Sequence, residues 1–169
     1  ARSCFYGVAV KEGDEASYRT GCIPAGEPTP EVMQASQQAA LAFEQYMYKF
    51  ETHHALSVCD EYLRAANKRW SDASKAAKNA QDDDAMAQAL VNAFHELRVA
   101  TILMHGIVPA GCELICEYFD IDPVAFFSWD HIFESTNHFI ETLGEEAGKH
   151  AVKPLPPRFD FFAKHPSQY

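Results

Sequence analysis

From residue 30 to residue 105 the chain repeats one pattern, apolar residues at steps of three and four, broken twice by short polar stretches. A 3.6-residue period gathers such residues on one side only in a helix, so the pattern demands helices that bury their stripes against one another. The first run opens at Thr29-Pro30-Glu31. These are an N-cap residue, a proline at the first helical position and an acid in the first turn. Val32, Ala35, Ala39, Phe43, Tyr46, Met47 and Phe50 then form one stripe, about five turns long. A second run, residues 54–78, carries Leu56, Cys59, Leu63, Ala66 and Trp70, with Arg64, Lys68 and Lys75 on other faces. An acidic break over 79–84 follows, and its aspartates suit the positive end of the next helix. The third run, about 84–105, uses Met86, Leu90, Phe94, Leu97, Thr101 and Met104. Gly106 closes it, and Pro109 opens a short fourth helix through Glu113, Ile115 and Phe119.

Beyond residue 121 the period weakens. Asp122-Pro123 begins a loop or helical turn, and Phe126, Phe127, Trp129, Ile132 and Phe133 are expected to clasp the bundle. One or two short extended pieces are expected near the C-terminus. Residues 1–29, where glycines alternate with Pro24 and Pro28, read as a linker or the remnant of a preceding segment. The domain should span 30–162, with 163–169 as a tail. The fold class is therefore all-α, an antiparallel helix bundle with an extended C-terminal tail.

The 169 residues suffice for one domain with a substantial core. Apolar runs are far too short for a membrane span, and the N-terminus lacks the series of a signal peptide. Five cysteines, an odd number without a Cys-x-x-Cys pair, point to a reducing, cytoplasmic setting. Cys112 and Cys116, one helical turn apart, are two ligands where a structural zinc site needs four, and read as buried thiols.

Eight histidines invite a metal. Glu51-Thr52-His53-His54 is a single Glu-x-x-His, whereas a di-iron bundle needs two plus two further glutamates. His54, His95 and His138 are conceivable ligands of a mononuclear site like that of DinB-type bundles, but packing or surface roles are the simpler reading. No Gly-x-Ser-x-Gly element and no Gly-rich phosphate loop is present. No catalytic centre, cofactor or metal site is expected.

One candidate binding surface remains, the base-rich part of the second helix: Arg64, Asn67, Lys68, Arg69, Trp70, Lys75 and Lys78. Cations reach phosphates, an amide reads a base edge, and an indole stacks on an unpaired base. The plainer reading is a solvated helix whose last lysines complement its dipole. The net charge of −10 excludes a body that grips nucleic acid everywhere, so any RNA contact must be local.

Three blocks in order resemble a methionyl-tRNA synthetase. They are Ala55-Leu56 running to Ala65-Ala66-Asn67-Lys68, then Glu96-Leu97-Arg98-Val99 with Ile102-Leu103 and Ile107-Val108-Pro109, and last Pro154-Leu155-Pro156-Pro157-Arg158-Phe159-Asp160. Gly21-Cys22-Ile23-Pro24 is similar to the Gly-x-Val-Pro ahead of that family's bundle, and the likeness covers roughly 20–162. The resemblance implies the helical anticodon-binding domain of class I synthetases, docking the CAU anticodon of tRNA-Met. Departures exist. The family's Pro-Trp after Ala-Asn-Lys is replaced by Ala73-Ser74-Lys75, leaving Trp70 as the nearby indole, and the catalytic signatures His-Ile-Gly-His and Lys-Met-Ser-Lys-Ser are absent.

The expected function is thus anticodon binding that positions tRNA-Met for aminoacylation, with a catalytic domain upstream in a parent chain as a further partner. A second expectation is a protein-interaction module derived from that domain, which has lost RNA. A metal-binding bundle is third. Glu96 and Arg98 read as packing and positioning residues rather than as RNA contacts.

Overall fold

Pro30 has no backbone N–H to leave unsatisfied, and α1 (Pro30–Tyr48) begins there. Thr29 occupies the N-cap with extended backbone but makes no side-chain cap; its own N–H instead donates to Asn92 Oδ1 at 2.9 Å. The helix start is thereby tied to a neighbouring helix rather than to itself. The computed structural model describes residues 23–119 and 121–143, and every regular element among them is helical. The Gly-Cys and Pro-rich blocks, the extended C-terminal pieces and the tail lie outside the described residues.

After α1 come α2 (Thr52–Ala80), α3 (Asp83–His105) and α4 (Pro109–Phe119), then the single turn α5 (Pro123–Phe126), a 3-10 turn (Trp129–Ile132) and α6 (Thr136–Thr142). Asp82 caps α3 by accepting from Ala85 N–H at 2.9 Å, and Asp83 and Asp84 sit in its first turn. The acidic run therefore serves the helix macrodipole as the sequence predicts. The second helix runs two residues further at each end than expected. Its last turn is retained because Ala77 is buried, and Gln81 stops it in the left-handed region at φ 54°.

Helix α3 is the axis of the molecule. It packs most extensively on α2, and also on α1, α4, the 3-10 turn and α6. It is buried on every side along much of its length: Phe94, Val99 and Leu103 are core, and so are His95, Glu96 and Arg98. The core continues through Ala40, Phe43, Cys59, Tyr62, Ile115, Cys116, Phe119, Phe126, Ile132 and Phe139. Close approach also shapes the entry to α1, where a Cβ on Gly26 would stand 2.7 Å from Val91 Cγ2.

Two stripes differ from expectation. On α2 the buried face is Ala55, Cys59, Tyr62, Ser74 and Ala77, so Leu56 points outward. Both sets obey steps of three and four, and only the neighbours decide between them. Tyr62 earns its place by sharing a 2.8 Å hydrogen bond with Ser36. Phe50 does not extend the α1 stripe: it lies past the helix end at φ 59° and is 90% exposed. Of the expected clasp, Phe126 and Ile132 are fully buried and Phe127 stacks on His105 at 3.7 Å, while Trp129, tilted against Phe43, and Phe133 are only partly covered. Phe139, which packs edge-on against Phe126, takes their place in the core.

Candidate nucleic-acid interface

On α2 the rotation of a 3.6-residue helix places Arg64, Asn67, Lys68, Lys75 and Lys78 within roughly a 100° arc. All five are exposed. From Arg64 to Lys78 this face is about 21 Å long at 1.5 Å per residue. Arg64 is not a free cation, because its Nε donates to Asp60 at 2.7 Å, which also raises its pKa. At such an exposed pair the link is weak. Lys68, Lys75 and Lys78 have no ion-pair partner among the described residues.

Arg69 faces the other way. Its Nε donates to Glu96 Oε1 at 2.7 Å, and its Nη2 reaches the same oxygen. A carboxylate sealed into α3 holds it, since Glu96 is only 2% exposed, while the Arg69 side chain keeps 29% of its surface open. Burial raises the pKa of Glu96; Arg69 opposes this, and nearby Glu31 adds to it. The net direction is upward because removal of water outweighs the single cation.

Trp70 is half-buried and lies between two recesses. The smaller, about 80 Å³, is lined by Leu63, Ala66, Asn67, Trp70, Ala93, Glu96 and Leu97. It is an apolar slot with one amide and one carboxylate. The larger, about 350 Å³, opens between the start of α1, α2 and α3, and is bordered by Glu31, Arg69, Trp70, Asp72, Asn92 and Glu96 among others. The structure thus brings Asn67 and Trp70 into one slot, keeps Lys68, Lys75 and Lys78 on the adjoining face, and draws Arg69 inward. Glu96, which the sequence suggests as a packing and positioning residue, lines both recesses. Its position opposite Arg69 on a neighbouring helix is a tertiary fact with no local signal.

Two residues along α3, Arg98 has no exposure at all. Its Nη2 donates to His95 Nδ1 at 3.1 Å and to the Glu134 carbonyl at 2.8 Å, and its guanidinium lies 4.5 Å from the Phe139 ring centre. A guanidinium only donates, so His95 Nδ1 must accept and the ring proton sits on Nε2. Burial, reinforced by the Arg98 charge, pushes His95 down to about 3, so it is neutral at ordinary pH. Burial brings Arg98 down to about 10, which leaves it a cation.

The considered metal ligands are not assembled. His95 is sealed with Arg98 on its Nδ1, the His54 ring lies tilted against His53 at 4.0 Å, and His138 is open beside Glu134 and Glu141. Among the described residues no three His, Cys, Asp or Glu side chains are grouped to hold a metal. Cys59, Cys112 and Cys116 are buried free thiols, and burial raises them to about 11, 11 and 12. No described helix is long and apolar enough to cross a membrane.

Fold and site together define an all-α bundle with an aromatic-and-amide slot beside a lysine-bearing helix face. No family model, curated protein or solved structure matches the chain.

Proposed function

We propose that this chain is an RNA-reading module that docks the anticodon arm of tRNA-Met, in the manner of the anticodon-binding domain of methionyl-tRNA synthetases. The slot between α2 and α3 carries the reading: Trp70 supplies a π-face, Asn67 a donor and acceptor at the rim, and Leu63, Ala66, Ala93 and Leu97 a dry floor. An unpaired base stacked there contributes about 1–3 kcal/mol. Lys68, Lys75 and Lys78 then meet the strand's phosphates, a contact that positions without specifying. With a net charge of −10, binding by this chain is weak and local. In this reading the aminoacylation chemistry lies in a catalytic domain, and the compartment is the cytoplasm.

The test is a titration at low salt with tRNA-Met and with a transcript altered at CAU. Tighter binding of the former is expected, with the difference erased by Trp70→Ala. Equal binding to both, or none, overturns the reading.

A second reading, a protein-interaction module, draws on a different place. Tyr48 is 87% exposed and Phe50 90%, side by side at the α1–α2 turn. Such aromatics on a turn fit an apolar partner surface. Under this reading Tyr48→Ser with Phe50→Asn abolishes a protein complex while RNA binding is nil throughout.

A further inference from the structure

His131 lies in the 3-10 turn between α5 and α6 and is 8% exposed. Both of its ring nitrogens stand against oxygen: Nδ1 is 2.6 Å from Glu134 Oε2, and Nε2 is 2.8 Å from the Ala125 carbonyl. A carbonyl only accepts, so Nε2 carries a proton. A neutral imidazole has a single N–H, which would leave the Nδ1 lone pair facing a carboxylate oxygen at 2.6 Å. That contact is attractive only with a second proton in it, so the pair holds one proton more than a neutral ring beside a carboxylate. One side chain thereby ties together α5 through Ala125, its own turn, and the residue that leads into α6.

The ionisable neighbours come from several elements. On α6, His138 Nε2 lies 3.6 Å from Glu134 Oε1, and Glu141 lies 3.7 Å from His138 Nδ1; both are open to solvent, which screens them. From α3, Arg98 donates to the Glu134 carbonyl, and His95 beside it is neutral. Asp130 precedes the ring in the turn itself. Helix α1 meets the turn through Phe43 against Trp129, and among the described residues no ion pair joins α1 to His131. The contact between His131 and Glu134 is the enclosed one of this group.

We propose that His131 and Glu134 form a proton-operated latch, which fastens α6 to the 3-10 turn and α5 while the shared proton is held and lets α6 loosen as pH rises. The proton leaves to solvent, and two lone pairs then oppose each other at hydrogen-bond distance, so the pair parts. Glu134, with a quarter of its side chain exposed, is the member that turns outward; His131 stays on Ala125 through its remaining N–H. The sense is opposite to that of His95, whose neutral form the fold holds, so order in α6 rather than global stability reads the latch. This assignment goes beyond RNA reading and does not depend on it.

The experiment follows the full chain, isotopically labelled on nitrogen, by NMR as pH is raised. The His131 ring is expected to carry two protons before the transition and one after it. Over the same transition the exchange protection of the Phe139 and Leu143 amides, corrected for intrinsic exchange, should fall about tenfold, while that of Phe94 and Val99 in α3 holds. Glu134→Gln offers an amide N–H to a neutral Nδ1 and keeps the backbone carbonyl that Arg98 uses, so its α6 protection should not vary with pH. His138→Gln should keep the dependence of the unaltered chain. Four results overturn the proposal: a ring with one proton throughout, α6 protection that does not follow the ring, a Glu134→Gln chain that retains the dependence, and a His138→Gln chain that loses it.

Discussion

Glu96 and Arg98 stand two residues apart on α3, both buried and both charged groups in a helical core, yet their surroundings are opposite. Glu96 faces α2, takes the guanidinium of Arg69, and borders two recesses that reach solvent. Arg98 faces the C-terminal elements, is fully enclosed, and has no carboxylate at ion-pair distance among the described residues. It is held by a neutral imidazole, a carbonyl and a π-face. Its Nε and Nη1 lack a hydrogen-bond partner, as do His95 Nε2 and Thr136 Oγ1 and, on the Glu96 side, Arg69 Nη2. One charge thus shapes an open site, and the other rivets α6 and the loop before it to the bundle. The lesson is that a buried ion is a candidate for function only where a recess reaches it; enclosed, it is a fastening.

This contrast can be broken in order of effect. Arg98→Met should cost the most stability. It leaves His95 Nδ1 and the Glu134 carbonyl unpaired, at about 1–3 kcal/mol for each buried group. Urea denaturation measures this, and a loss below 1 kcal/mol would show that Arg98 fastens nothing. Gly26→Ala comes next, at about 1–3 kcal/mol, because its Cβ meets Val91. Adding Val91→Ala should recover part of that loss, and no recovery would place the strain elsewhere.

Trp70→Ala should lower the melting temperature, because the half-buried indole covers apolar surface between helices, yet leave the chain folded, and weaken RNA by roughly 5- to 150-fold, the equivalent of about 1–3 kcal/mol of stacking. Equal loss in an Asn67→Ala variant would tie both residues to one base.

His95 adds a pH signature on the enclosed side. Its folded pKa, about 3, lies below the ordinary 6.5, so between these values the unfolded chain binds the proton and the native one does not. Its contribution to stability is therefore complete above 6.5, declines as pH falls through that window, and stops declining below about 3. Glu96 acts in the opposite sense over the window just above 4.5, since its pKa is raised in the fold and stability falls as pH rises there. Replacing His95 with Gln should flatten the acid decline between 6.5 and 4.5; an unchanged slope would assign it to other groups. The smallest effect is Lys68→Gln, which should lower the logarithmic salt slope of RNA binding by about 0.7.

Most of the bundle was legible before any coordinate. Pro30 and the aspartates at 82–84 announce helix starts through backbone chemistry that acts within one turn, and both appear where expected. The site was half legible. Asn67 and Lys68 are displayed by α2 and Trp70 is half-buried beside them, but Arg69, as cationic as Lys68 and next to it in sequence, is turned inward by a partner 27 positions away. The same holds for Leu56 against Tyr62: both fit the period, and only the hydroxyl of Ser36 on α1 selects the face that is buried.

What the amino-acid order determined alone is the all-α architecture, the number and approximate span of the long helices, and the residue types on each face. These follow from hydrogen bonds and apolar spacing between residues a few positions apart. Tertiary structure alone decided which of two adjacent faces is buried, that Glu96 holds Arg69 while Arg98 is sealed away, and that Trp70 stands between two recesses. Those outcomes depend on distances between helices, and pairings across 26 to 36 positions leave no trace in local periodicity.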